Sequence, residues 1–284
     1  MTSNRVRSFV LIAVIVSILS LGGCSRENAE STDHLGVLSR AVGLQEEATK
    51  PAEMLDIVID ASEGSPGSIT TVETTLKSAL TYAAERPGSV VRLWALGLEL
   101  SDTRLLASVE STAPKRRGER ARKNEAARFI DASLPYLLQA ARPIFDHPAK
   151  KQSPIAEGIS RVAYSRAPVG MHRQIITITD ARQVGGQLKL DFECDKKLPK
   201  VEAFVADLHK QAMLTPDSLR DTDVHFAYVA LGAIPKRGCQ VTLARAQHIE
   251  SMWRAAFTAA GASSVAFTTD EPRLKASASV GGAS

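Results

Sequence analysis

Asp60 and Asp180 are the residues whose placement most suggests chemistry. Each closes an apolar, β-branched run, Met54-Leu55-Asp56-Ile57-Val58-Ile59-Asp60 and Gln174-Ile175-Ile176-Thr177-Ile178-Thr179-Asp180, that reads as a strand. Asp60 opens Asp60-Ala61-Ser62-Glu63-Gly64-Ser65, which puts a carboxylate and the hydroxyls of Ser62 and Ser65 within a few residues of one another. A hard cation such as Mg²⁺ takes oxygen ligands of this kind while keeping several of its own waters. The same residues have a plainer use, because aspartates at strand ends cap the turn or helix that follows, and Ser/Gly loops are common turn chemistry. A phosphate cradle in Gly64-Ser65-Pro66-Gly67-Ser68 lacks the Gly-Lys-Ser/Thr ending of a P-loop, and Asp60 beside it would repel an anion.

The elements that must position these aspartates follow a regular order. After the first strand and its loop, residues 71–86 carry Val72, Leu76, Leu80 and Ala83 at helical spacing, and Pro87 stops them. Residues 90–96 read as a second strand. A helical run over 125–145 contains Pro135, which is expected to bend or divide it. Residues 153–165 form a helix, 174–180 a strand, 188–193 a short extra strand, 200–213 a helix and 224–231 a strand. A helix over 243–260 closes at Gly261, and 265–268 is the last strand. Repeated strand–helix units with fully apolar strands predict a doubly wound, mainly parallel α/β sheet with helices on both faces. Ligands of such sheets sit beyond the carboxyl ends of the strands, where both aspartates fall.

On these residues the chain resembles a von Willebrand factor A-type domain over roughly 53–270. That family carries Asp-x-Ser-x-Ser after the first strand, a Thr in a later loop and an Asp closing the fourth strand, together holding a metal ion at an adhesion site. Asp60 and Ser62 match the first two positions, and Asp180 in Ile-Thr-Ile-Thr-Asp matches the last. Ser153 in Ser153-Pro154-Ile155 stands where the family has Thr. The third serine position holds Gly64, with Ser65 one residue later. The resemblance implies a protein-binding module in which Asp60, Ser62, Ser153 and Asp180, with Ser65 as a substitute, hold Mg²⁺ for an acidic side chain of the partner. Asp60→Ala is then expected to abolish metal-dependent binding without unfolding the domain.

At the amino end, Arg5 and Arg7 precede an apolar run over 9–21 that ends in Leu21-Gly22-Gly23-Cys24. This is the layout of a signal peptide, and the run is short for a permanent span of about 30 Å of hydrocarbon. The tetrapeptide resembles the lipobox of bacterial lipoproteins, which implies removal of residues 1–23 and a lipid on Cys24. Ser25 rather than Asp after the cysteine points to the outer membrane of a Gram-negative cell. A flexible polar tether over 24–50, the domain over 51–270 and a disordered tail over 271–284 complete the expected layout. In such an oxidising compartment Cys194 and Cys239 are expected to form a disulfide.

Composition narrows the function classes. The formal net charge of +4 falls by two when the segment with Arg5 and Arg7 is removed, too little for a nucleic-acid reader without a concentrated basic face. The one basic stretch, 115–123, reads as a solvated helix turn or loop, or as a contact for anionic headgroups or an acidic partner. Gly-x-Ser-x-Gly and His-Glu-x-x-His are both missing, and the six histidines are scattered. Trp94 and Trp253 read as packing residues. The expectation is a non-enzymatic, lipid-anchored envelope protein that binds a protein partner through Mg²⁺. Its alternative is a metal-free structural component of an envelope assembly, such as a secretion or conjugation apparatus. A solute-binding lipoprotein would need a second lobe.

Overall fold

Strand β1 (Glu53–Ile59) is buried along its whole length, and its alternating side chains feed two separate cores. Leu55, Ile57 and Ile59 enter one face with Val72, Leu76 and Leu80, while Val58 enters the other with Ile155, Ile159, Phe226 and Trp253. Two-sided burial of this kind requires helices on both faces of the sheet. The computed structural model describes residues 50–60, 62, 67–97, 102–113, 118–146, 153–186, 188, 190–192, 196–229, 242–272 and 274.

Ser68 caps α1 (Ile69–Ala84), its hydroxyl accepting from the Thr71 N–H at 3.1 Å. The chain then forms β2 (Val90–Ala95), β3 (Arg104–Glu110), α2 (Glu119–Asp146), α3 (Ile155–Tyr164) and β4 (His172–Ile178). A two-stranded antiparallel ribbon follows, β5 (Val184–Gly185) with β6 (Leu190–Asp191). The last elements are α4 (Val201–Lys210), β7 (Thr222–Ala227), α5 (Leu243–Ala259) and β8 (Ser264–Phe267). The main sheet has the order β3-β2-β1-β4-β7-β8, with every neighbouring pair parallel except β2 and β3. The expected doubly wound, mainly parallel α/β fold is therefore present. The strand order runs out in opposite directions from β1 and β4, so the crevice at their carboxyl ends is the switch point of the sheet.

Helices α3, α4 and α5 cover one face around an aromatic cluster, in which Trp253 stacks on Phe257 at 5.5 Å and meets Phe204 edge-on at 5.2 Å. The other face is covered by α1 and α2. Pro135 does not divide α2. Both Pro135 and Pro143 are exposed, as are Asp131 and Gln139, whose carbonyls lose their helical donors to these prolines and can turn to water. The strand expected over 224–231 stops at Ala227, because Tyr228 turns into the left-handed region with φ 62°. Strand β3 was not anticipated. It is the antiparallel edge of the sheet, and a bulge against Leu93/Trp94 breaks its alternation. Among the described residues, no helix is long and apolar enough to cross a membrane.

Candidate functional site at the carboxyl edge of the sheet

Asp60 leaves β1 beside β4, its N–H donating to the Ile178 carbonyl at 3.1 Å. The side chain is 1% exposed and fully engaged. Its Oδ2 accepts from Ser153 Oγ at 2.7 Å and from Thr179 Oγ1 at 2.8 Å, and its Oδ1 accepts from the Ser62 N–H at 3.1 Å. The last bond is an Asx turn, the local device by which an aspartate shapes the loop after it. Ser153 is held in place by a two-way bridge with Val184, 3.0 Å and 3.1 Å, immediately before α3 begins. Three segments distant in sequence are thus tied to one carboxylate.

Asp180 is 5% exposed and faces a different partner. Arg182 donates its backbone N–H to Oδ1 at 3.0 Å and its Nε to Oδ2 at 2.7 Å, with Nη2 at 2.5 Å from the same oxygen. The guanidinium is itself buried, its side chain 8% exposed. Burial pushes the Asp180 carboxyl above the ordinary carboxylate range, and repulsion from Asp60 pushes it further; Arg182 pulls it back only in part. Between the two, Ala181 adopts φ 62° with its methyl fully buried, and its carbonyl accepts from Trp253 Nε1 at 2.9 Å. A non-glycine residue in this region stores on the order of 1 kcal/mol of strain.

The remaining loop is fixed by Gln183, fully buried. Its Oε1 accepts from the Ala156 N–H at 2.9 Å in the first turn of α3, where Pro154 offers no side-chain cap, and its Nε2 donates to Glu157 Oε2 at 3.1 Å. The amide therefore does for α3 what an N-cap side chain does elsewhere.

Of the residues singled out in the sequence, Asp60, Ser62 and Ser153 meet directly, and the charge of Asp60 acts on Asp180. Ser65, Cys24, Cys194 and Cys239 lie outside the described residues, as do the tether up to residue 49 and the tail beyond Leu274. Thr179 and Arg182 were missed. Their signal was local: a hydroxyl just before the aspartate that closes β4, and a guanidinium two residues after it. The oxygen atoms of Asp60, Asp180, Ser62, Ser153 and Thr179 are the type that Mg²⁺ takes. The set nevertheless fits a divalent ion poorly while Arg182 stays in place, because a buried positive charge already occupies the Asp180 carboxylate. Among the described residues, no three His, Cys, Asp or Glu side chains group as metal ligands. Compared with known proteins, the chain matches no family model and no curated protein.

Proposed function

We propose that this chain is a lipid-anchored protein of the cell envelope, with a von Willebrand factor A-like domain that holds a protein partner at the carboxyl edge of its sheet by direct contact, with no cation between them. The observation that carries the metal-free contact is the ion pair of Arg182 with Asp180, which supplies a fixed positive charge at the switch point. Asp60 has a matching role, since its oxygens join the loop after β1, the entry to α3 and the end of β4 into one frame. Such a frame presents a rigid edge to a partner. Two apolar residues open helices at that edge and are exposed, Ile69 at the start of α1 (36%) and Leu243 at the start of α5 (75%). A large apolar side chain exposed at a helix start at this edge of the sheet fits a contact with another protein. The anchoring part of the reading rests on Leu21-Gly22-Gly23-Cys24.

A photo-crosslinking residue placed at Ile69 or at Leu243 in cells tests the contact. A discrete protein adduct is expected, with a yield that a chelator does not change. An adduct that disappears with chelator and returns with Mg²⁺ would replace direct contact by a cation bridge, and no adduct at either position would remove this edge as the partner surface. Cys24→Ala should move the chain from the membrane fraction to the soluble one. A second reading, adhesion through Mg²⁺, is favoured by one observation only, the convergence of Ser153, Thr179 and Ser62 on Asp60 beside Asp180.

A further inference from the structure

We infer that Arg182 is a tethered cation, standing in charge where a divalent ion would complete the two aspartates, and that it masks a latent divalent site. The inference rests on the metal-free reading above and gives it a physical cause. Asp60 and Asp180 are both buried to 5% exposure or less, and Thr179, the residue before Asp180, donates its hydroxyl to Asp60 Oδ2 at 2.8 Å, so the two carboxylates are anchored to one short stretch of chain. Two buried carboxylates within electrostatic reach need a positive charge between them or a proton on one of them.

Arg182 supplies that charge from within the chain. The guanidinium reaches Asp180 through Nε and Nη2, and the backbone N–H of the same residue takes the other carboxylate oxygen. Three donors from one residue occupy both oxygens of the Asp180 carboxylate. Ala181 at φ 62° is what allows it, since the left-handed step turns the chain back so that residue 182 lies over the carboxylate of residue 180. The Trp253 indole holding the Ala181 carbonyl keeps the step in place. With one positive and two negative charges the trio carries a net −1, and loss of the arginine would leave −2 among the hydroxyls of Ser153 and Thr179. That is the charge and donor chemistry of a hard divalent cation.

The test is calorimetric titration of Mg²⁺ and Mn²⁺ into the purified full-length chain in detergent, for the wild type, Arg182→Met and Arg182→Lys. Methionine keeps most of the buried stem and removes the charge; lysine keeps a charge. The expected result is binding to Arg182→Met at least about tenfold tighter than to the wild type, abolished by adding Asp60→Ala, with Arg182→Lys resembling the wild type. Melting with and without Mg²⁺ gives the same readout if the variant is less stable, because only the variant should gain stability from the ion. A folded Arg182→Met chain that binds no better than a non-binding wild type overturns the tethered-cation inference and leaves the metal-free reading standing. A wild type that binds as tightly as Arg182→Met overturns both.

Discussion

Helix α3 has a buried charge cluster at each end, and the two are built on opposite balances. Asp56 lies on β1 and Asp60 just past its end, both in step with Val58, and so both face α3. At the carboxyl end of α3, Asp56 is fully buried between two arginines. Arg92 contacts it through Nε at 2.6 Å and Nη2 at 2.9 Å, Arg173 through Nε at 2.7 Å, and the Trp94 indole N–H donates at 2.7 Å. Both arginines then donate onward to the carbonyls at the end of α3, Arg173 to Val162 and Ala163, Arg92 to Ser165. At the amino end the balance inverts, with Asp60 and Asp180 outnumbering Arg182. Cations at the carboxyl end and anions at the amino end both complement the helix dipole.

The difference separates structure from candidate function. The Asp56 cluster has one acid shared by two cations, every partner buried and ordinary backbone around it. The Asp60 cluster has an excess acid with a raised pKa and a strained alanine beside it. Perturbed titration together with backbone strain at a switch point is the combination found where ligands are held.

The comparison can be broken most forcefully at Asp56. Asp56→Ala leaves two buried guanidinium groups and an indole N–H without their acceptor, and should cost about 3–5 kcal/mol of unfolding free energy in urea titration. A loss under about 1 kcal/mol would mean the cluster is not what anchors α3. Asp60→Ala removes three hydrogen bonds but also relieves repulsion on Asp180, so the expected cost is smaller, about 1–2 kcal/mol. Equal losses at the two positions would erase the contrast.

Titration sharpens it further. The raised native pKa of Asp180 means that its contribution to stability is fully present below the ordinary 3.8 and is lost as pH rises through the native value, the reverse of a salt-bridged carboxylate. Asp180→Asn should flatten that decline in a series of melts from pH 3 upward, and an unchanged profile would argue against the burial and repulsion assigned to this carboxyl. His172 moves in the same direction at higher pH. Its hydrogen bond to Glu53 at 3.2 Å, then the charges of Asp223 and Asp221, hold its pKa above the ordinary 6.5 against the effect of burial. Its contribution is full below 6.5 and lost as pH rises through the native value, so His172→Asn should remove a stability decrement on the alkaline side. The smallest effect belongs to Ala181→Gly. Relief of the left-handed strain and loss of a buried methyl are each on the order of 1 kcal/mol, so the melting free energy should change by less than about 0.5 kcal/mol.

Much of the architecture was legible because its strands are apolar on both faces. The runs ending at Asp60 and Asp180 announced β1 and β4, and the helical spacing of Val72, Leu76 and Leu80 announced α1. β3 escaped notice because Arg104, Ser108 and Glu110 are exposed and the bulge interrupts its period, leaving neither an apolar run nor a clean alternation. β5, only two residues long, carried no signal at all. At the site, Asp60, Ser62 and Ser153 were found through hydroxyls and carboxylates at strand and helix boundaries. Arg182 carries no sequence signal as a ligand of a cation; its role as a cation shows only where the turn at Ala181 sets it against Asp180. The charges of the second cluster were visible in the sequence: Asp56 and Arg92 each interrupt an apolar run, Arg173 lies in the polar start of β4 between His172 and Gln174, and a charge buried in a strand needs an opposite charge nearby.

The central claim, that the switch point is completed by Arg182 and not by a metal ion, is tested most directly by titrating Mg²⁺ and Mn²⁺ into the wild-type chain beside Asp60→Ala. The account predicts no saturable binding by either protein. Saturable binding by the wild type that vanishes in Asp60→Ala would contradict it and make the edge a cation-dependent adhesion site.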